Sequence, residues 1–313
     1  MTQPAIRIGT RGSPLALAQA HETRDRLLAA HGDLPAAAIA IEVIRTSGDK
    51  IQDRALAAAG GKGLFTKEIE EALLDGTIDM AVHSMKDVPT MLPDGLGIAC
   101  LLPREDVRDA FISLRAASLD DLAPGALVGT ASLRRQAQVL KARPDLRVGI
   151  LRGNVETRLR KLGQGDVDAT LLAVSGLNRL GMADRVTALI ETDDMLPAVA
   201  QGAIGIECRR DDAAAADWLA PLNDSLTATC VTAERAFLAE LDGSCRTPIA
   251  GLARIDGAGA LAFKGEVLSP DGRQSFQATR TGSPADAAGL GAEAGAEIKA
   301  KLPPDFFIDG GAD

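Results

Sequence analysis

The 313-residue sequence has no tyrosine, one tryptophan and seven phenylalanines, so aromatics make up only 3% of it. Single-stranded nucleic acids are commonly held by stacking bases on aromatic faces, and this chain has little to build such a platform from. Basic residues are also in deficit, with 34 Lys and Arg against 43 Asp and Glu and a formal net charge of −9. That balance disfavours general affinity for nucleic acid, while local basic clusters can still hold a small anion. No run of 18 apolar residues occurs, so no membrane-spanning helix is expected. The opening string MTQPAIRIGTRG has no basic start followed by an apolar core, so no export signal and a cytoplasmic location are expected. Only three histidines are present, at 21, 31 and 83, which leaves little support for a histidine-rich metal site, and no metal is expected. The four cysteines, at 100, 208, 230 and 245, show neither paired zinc spacing nor the density of a disulfide scaffold. No glycine cluster has the GxGxxG dinucleotide spacing between a strand and its helix.

What is present centres on residues 60–89, GGKGLFTKEIEEALLDGTIDMAVHSMKDVP. Three glycines around Lys62 predict a mobile loop. Apolar residues at 65, 69, 72 and 73 predict a helix from Phe65 to Leu74. A short apolar strand, Ile78 to Val82, then delivers His83, Ser84, Lys86 and Asp87 at its C-terminal end, where open α/β sheets present their sites. The Lys86–Asp87 pair is either the centre of such a site or a solvated ion pair.

The same pattern opens the chain. A strand at Ala5–Gly9 turns through Thr10–Arg11–Gly12–Ser13–Pro14 into a helix that runs to about Ala30. Ser13 can cap that helix, and Pro14 suits its first turn. A third strand, Ala38 to Thr46, ends at Ser47–Gly48–Asp49–Lys50. After strands at Leu96–Leu102 and Asp109–Leu114, with a short helix expected at Leu119–Leu122, a second cycle begins. GTASLRRQAQ offers hydroxyls at Thr130 and Ser132 and then Arg134 and Arg135 in the first turn of a helix. LRGNVETRLRKL places Arg152 at a strand end and Arg158 on the following helix, and GLNRLG carries Arg179. Cations near helix N-termini oppose the helix dipole by roughly 0.3–1 kcal/mol each. An anion held between guanidinium and backbone N–H groups would remove the conflict, and arginine favours carboxylate or phosphate held through paired hydrogen bonds.

A short helix at Ala198–Ala200 and a strand at Ile204–Glu207 are expected next, the strand returning to the first sheet across a hinge. The fold class that follows is α/β, with two domains facing one another across a cleft and a small α+β C-terminal domain with an antiparallel sheet. The expected boundaries are 1–102 with 197–220, then 103–196, then 221–313. Cys100, Cys208 and Cys230 fall in apolar patterns and are expected to be buried. Cys245 lies in the polar loop Gly243–Ser244–Cys245–Arg246–Thr247, where the adjacent cation can favour a thiolate. It is either a reactive or modified thiol or an inert one.

The strings TRGSPLALAQA, GGKGLFTKEIEEALLDGTIDMAVHSMKDVPT, GTASLRRQAQ, LRGNVETRLRKL, LPAVAQGAIGIE and ERAFLAELDGSCRTPIAG together resemble the porphobilinogen deaminase (hydroxymethylbilane synthase) family over essentially the whole chain. The resemblance implies two domains similar to type II periplasmic binding proteins and a third that carries a dipyrromethane cofactor thioether-linked to a cysteine, here Cys245. It implies a transferase, a cytoplasmic monomer that joins four porphobilinogen molecules head to tail, releases four ammonia molecules and hydrolyses off a linear tetrapyrrole. Asp87 matches the catalytic aspartate. Arg11, Lys86, Arg134, Arg135, Arg152, Arg158 and Arg179 match the anion-holding residues, and Ser13, Thr130 and Ser132 the hydroxyl contacts. Asp49 matches an aspartate near the cofactor, and Lys62 lies in the family's flexible loop. Ala58 departs from the pattern, standing where some relatives have a second loop lysine. The rival reading is a binding module for organic anions that performs no chemistry. It accounts for two lobes and the arginines but not for Cys245 or the Lys86–Asp87 pair. A phosphoryl or nucleotidyl transferase lacks both a phosphate loop and a metal-binding carboxylate motif.

Overall fold

The computed structural model describes residues 6–50, 66–241, 247–303 and 306, with the backbone alone at 49 and 50. Lys62, Cys245 and the side chain of Asp49, all singled out above, lie outside the described residues. In chain order the elements are β1 (Ile6–Arg11), α1 (Pro14–Ala30), β2 (Ile39–Ile44), α2 (Ser47–Lys50), α3 (Lys67–Leu74), β3 (Met80–Ser84) and β4 (Leu96–Leu101). There follow β5 (Asp109–Ser113), β6 (Leu127–Gly129), α4 (Leu133–Ala142), β7 (Arg147–Gly149), α5 (Val155–Gln164), β8 (Ala169–Ala173), α6 (Val174–Arg179) and β9 (Ala188–Ile190). The chain ends with β10 (Ile204–Arg209), α7 (Ala213–Leu219), α8 (Ser225–Glu240), β11 (Ile249–Ile255), β12 (Leu261–Leu268), β13 (Ser275–Gly282) and α9 (Ala287–Lys301).

The chain divides into two compact units, 1–105 with 202–228 and 106–201 with 229–313. The first contains a five-stranded sheet in the order β2-β1-β3-β10-β4. β1 pairs in parallel with β2 and β3, whereas β10 is antiparallel to both β3 and β4. The strand expected at Ile204–Glu207 therefore does return to the first sheet. Alternate residues supply the two faces, as a period of two requires. Ile6, Ile8, Met80, Val82, Ile204 and Ile206 pack with Leu27 of α1 and Leu219 of α7. Ala81 and Leu96 face the other way, against Ile69 and Leu73 of α3.

The second unit repeats this order in β7-β6-β8-β5-β9. Ala110 and Ile112 of β5 pack on one face with Leu162 and Leu177, and Phe111 packs on the other with Val139 of α4. Its C-terminal part is a three-stranded antiparallel sheet, β11-β12-β13, with α9 packed on β12 and β13. Two glycines permit the layers to close. A methyl group at Gly265 would enter the Phe237 ring of α8, and one at Gly291 of α9 would collide with the Ala233 carbonyl of α8. Lys141, near the end of α4, is ion-paired with buried Glu266 of β12, which also accepts from Ser275 and Gln277. This is one reason the 106–201 segment and the C-terminal sheet fall in a single unit.

Two expected helices do not form. At Leu119–Leu122 the carbonyls of Leu119, Asp120 and Leu122 accept from the Arg143 guanidinium, and the segment is a turn. At Ala198–Ala200, Ala200 takes a left-handed φ of 59° and gives its N–H to Glu234, which stops any helix. β9 was not anticipated, because three residues are too few to show a period. The expected strand at Ile78–Val82 instead covers Met80–Ser84, so His83 and Ser84 are strand residues.

Candidate active site

In the first unit β1 is flanked by β2 on one side and β3 on the other. The connections that leave β1 and β3 at their C-terminal ends therefore diverge, and this switch point is where open sheets leave a crevice. Arg11 is the last residue of β1. Two residues on, Ser13 caps α1 by accepting from the Ala16 N–H at 3.3 Å, with Pro14 at the first helical position. β3 ends at Ser84, and a 3₁₀ turn over Met85–Asp87 brings Asp87 back to the same edge.

As a result Arg11, Ser13, Gln19, His83, Ser84 and Asp87 line one pocket of about 60 Å³. Asp87 is exposed, and none of the described residues pairs with its carboxylate. Lys86 beside it is also exposed. Gln19 is a pocket residue that the sequence reading passed over. Its amide nitrogen donates to Ser84 Oγ at 2.8 Å, and the Ser84 hydroxyl lies 3.0 Å from Gln19 Oε1. The available signal was a polar residue inside an otherwise alanine- and leucine-rich helix start.

The second unit presents its polar residues at the matching edge. β6 lies between β7 and β8 and is parallel to both, so Thr130, Arg152 and α6 with Arg179 all follow strand ends on one side of the sheet. Thr130 is buried, and its hydroxyl accepts from the Ser132 N–H at 3.1 Å. Ser132 caps α4 by accepting from the Arg135 N–H. Arg158 donates from Nε to the Gly153 carbonyl at 2.8 Å, and Arg152, Arg158 and Arg179 are half-buried.

Arg134 and Arg135 differ from this group in being only 5% exposed each. Arg134 donates to Asp109 Oδ2 at 2.7 Å and Arg135 to Asp109 Oδ1 at 2.8 Å. Their other terminal nitrogens donate to the Leu196 and Leu171 carbonyls. Gln201 completes the cluster, donating to Asp109 Oδ1 at 2.9 Å. Burial alone would raise the Asp109 carboxyl, but the two guanidinium groups outweigh it and hold the carboxyl well below its ordinary range. The anion called for at this helix start is thus supplied in part by the chain itself. Two cations face one carboxylate, however, and Arg134 Nε, Arg135 Nε and Arg152 Nε are all buried without a hydrogen-bond partner. A surplus positive charge and three unused donors suit further carboxylates. Asp109 and Gln201 were missed in the sequence, where the only mark of Asp109 is an acid at the start of an apolar strand.

Two family models match the chain. "Porphobilinogen deaminase, dipyromethane cofactor binding domain" covers residues 6–217, and "Porphobilinogen deaminase, C-terminal domain" covers residues 228–300. The chain belongs to the porphobilinogen deaminase family. A porphobilinogen deaminase from Nitrobacter hamburgensis is 62% identical over 300 residues, spanning 96% of this chain and 94% of that one. A chloroplastic porphobilinogen deaminase from Oryza sativa subsp. japonica is 58% identical over 96% of this chain and 85% of its own length. A solved periplasmic substrate-binding protein of an ABC transporter from Coxiella burnetii is similar at a TM-score of 0.44, with 14% identity, over 69% of this chain and 91% of that one. Two five-stranded α/β sheets and a small C-terminal α+β part with a three-stranded antiparallel sheet make up the architecture of this family member.

The family's dipyrromethane cofactor bears carboxylates, and the second unit fits it in donor chemistry, through the surplus charge at Arg134 and Arg135 and the unused Nε donors. Cys100, Cys208 and Cys230 are buried, and burial pushes the Cys100 thiol up to about 12. None of these three suits attachment to a cofactor, since the thiolate is the nucleophile. Among the described residues no cluster of His, Cys, Asp or Glu could hold a metal, and no helix is long and apolar enough to cross a membrane.

Proposed function

We propose that this chain condenses four porphobilinogen molecules head to tail, with release of four ammonia, and then hydrolyses off the linear tetrapyrrole hydroxymethylbilane. The observation that carries the reading is the near full-length 62% identity to a porphobilinogen deaminase, together with Asp87 and Arg11 in one pocket at a sheet switch point. Each round breaks the carbon–nitrogen bond of an aminomethyl group and forms a carbon–carbon bond to the free α-carbon of a pyrrole. The α-hydrogen leaves as a proton and the nitrogen leaves as ammonia.

Departure of the amine develops positive charge on the substrate, and the unpaired Asp87 carboxylate is placed to stabilise it. Such aimed charges act strongly where water is excluded. Arg11 and Lys86 hold carboxylates of the incoming substrate, with Ser13 contributing a hydroxyl beside its capping role. Dipyrromethane, bound as a thioether to Cys245, supplies when present the pyrrole carbon to which the first substrate is joined. Arg134, Arg135, Arg152, Arg158 and Arg179, with Thr130 and Ser132, hold its carboxylates and those of the growing product. Asp49 and Lys62 belong to this assignment through the family match. The proposal includes a cytoplasmic monomer without nucleic-acid or membrane partners, and the net charge of −9 supports the exclusion of polyanions.

The test is to incubate the purified full chain with porphobilinogen while measuring ammonia and tetrapyrrole. In parallel, its intact mass is determined and its cysteines are mapped. One ammonia per porphobilinogen consumed and an adduct on Cys245 alone are expected. A bare-polypeptide mass with no ammonia released overturns the reading.

A further inference from the structure

α4 carries Arg134 and Arg135 in its first turn, and its later turns are held by a part of the chain distant in sequence, the turn between β12 and β13. Gly272 stands in that turn at a left-handed φ of 73° and is buried, although Asp271 and Arg273 on either side are exposed. A methyl group there would lie 2.5 Å from the Ala137 carbonyl oxygen and 2.5 Å from the Lys141 backbone nitrogen. These atoms are the acceptor and donor of one hydrogen bond of α4, so the turn rests directly on the helix backbone. Gln136 adds a hydrogen bond from Nε2 to the Pro270 carbonyl at 3.3 Å. Lys141 reaches Glu266 of β12, which is 3% exposed, and also donates to Ser275 Oγ of β13 at 3.2 Å. The turn is braced internally, with the Gly272 N–H donating to the Ser269 carbonyl and the Gln274 N–H to Ser269 Oγ, both at 2.9 Å.

α4 is tied to the same sheet a second time. Gln138 brackets Leu196, donating from Nε2 to its carbonyl at 2.9 Å and accepting from its N–H at 2.8 Å. Leu196 packs on Ala250 and Leu252 of β11, and the Pro197 carbonyl accepts from the Gly251 N–H. Asp109 fixes the two guanidinium groups, whereas these contacts fix the helix that carries them. At Gly272 backbone meets backbone, so no rotamer change can absorb a displacement. Cys245 stands just before β11 in the sequence. We propose that Gly272 and Glu266 are positioning residues, which set α4, and with it Arg134 and Arg135, in register with the sheet whose first strand follows the cofactor-bearing cysteine. Misplacing a binding group by about 1 Å can cost about a hundredfold in rate, and a clamp on the helix prevents that. This role rests on the proposed function, because only there do the arginines meet a cofactor, while the clamp itself is a property of the fold.

The test compares Gly272→Ala with Gly259→Ala in the full-length chain. Gly259, in the turn between β11 and β12, also has a left-handed φ, of 80°, but a methyl group there meets nothing within 4 Å. Both variants therefore strain a turn, and only Gly272→Ala pushes on α4. Hydrogen exchange of the protein as purified, read by mass spectrometry, should be about tenfold faster over residues 136–142 in Gly272→Ala than in Gly259→Ala, the scale of a local overpacking penalty. Equal exchange there overturns the clamp, whatever the protein's reaction. The second measurement is the rate at which full-length chain made free of cofactor gains mass at Cys245 during incubation with porphobilinogen. That rate should fall about tenfold in Gly272→Ala, fall by less in Glu266→Gln and keep its wild-type value in Gly259→Ala. A merely structural role would lower the Tm and leave loading of the folded protein at the wild-type rate, which removes the positioning role. Glu266→Gln keeps the shape of the side chain and decides both measurements if Gly272→Ala fails to fold. A wild-type chain that gains no mass overturns the proposed function and the positioning role with it, while the exchange result still judges the clamp.

Discussion

Replacing Asp109 with Asn should destabilise the second unit far more than a typical single substitution. The Asp109 carboxylate is 0% exposed and accepts from Arg134, Arg135 and Gln201. Removing its charge leaves two buried guanidinium groups without a counter-charge, and breaking a buried pair in this way costs about 3–5 kcal/mol. At about 2–4 °C per kcal/mol for a domain of this size, the Tm of that unit should fall by about 6–20 °C. Calorimetry on the holoenzyme can resolve the two units as separate transitions, so the affected one is identifiable. The pH dependence adds a second check. The native carboxyl lies below its unfolded value, so its stabilisation is complete above the unfolded pKa of about 3.9 and is lost only as pH falls through the native value. The wild-type advantage over Asp109→Asn should therefore be level from pH 9 to about 5 and shrink only below about pH 4. A Tm within about 2 °C of wild type at pH 7 would refute the account, because it would mean that the two guanidinium groups find equivalent partners elsewhere.

Asp87→Ala should leave the Tm unchanged, because Asp87 is exposed and unpaired among the described residues, and should lower turnover about a hundredfold at saturating porphobilinogen. Near-normal turnover would remove Asp87 from the mechanism. Arg134→Leu should reduce the amount of attached cofactor seen by intact mass, whereas Arg11→Leu should spare cofactor loading and weaken use of substrate. Arg134→Leu also strips Asp109 of one partner, so its loading is to be compared with that of Asp109→Asn. Gly291→Ala should separate α9 from α8 and cost about 1–3 kcal/mol, read as a lower Tm with unchanged activity of the folded fraction.

The parts of the site that were legible in the sequence are those fixed by local chemistry. Ser13 followed by Pro14 can cap a helix wherever the chain lies, and Arg11 before it is thereby placed at a strand end. Asp87 was legible for the same reason, since an apolar strand that stops at Pro89 must release its last polar residues at a sheet edge. The contacts that were not legible depend on pairing between distant strands. His83 meets Glu207 across 124 residues through the antiparallel register of β3 and β10, and nothing around either residue announces it. In the sequence Arg134 and Arg135 call for an outside anion, because Asp109 reaches them only once β5 has been laid beside β8. The helix expected at Leu119–Leu122 failed for a similar reason, as Arg143 claims its carbonyls from 21 residues away or more.

The position of β10 between β3 and β4 bears on how the chain comes off the ribosome. Until residues 204–209 have been made, β4 has no neighbour in its sheet and β3 has an open edge, so the amino-terminal sheet stays divided. The strands of the second α/β sheet, from Asp109 to Ile190, are contiguous in sequence and can close on one another before then. Vectorial synthesis ordinarily lets the amino-terminal domain fold first. Here the middle of the polypeptide can complete its sheet while the beginning still waits, and an unpaired strand edge during that interval is the point at which a chaperone or an aggregate would engage the nascent chain.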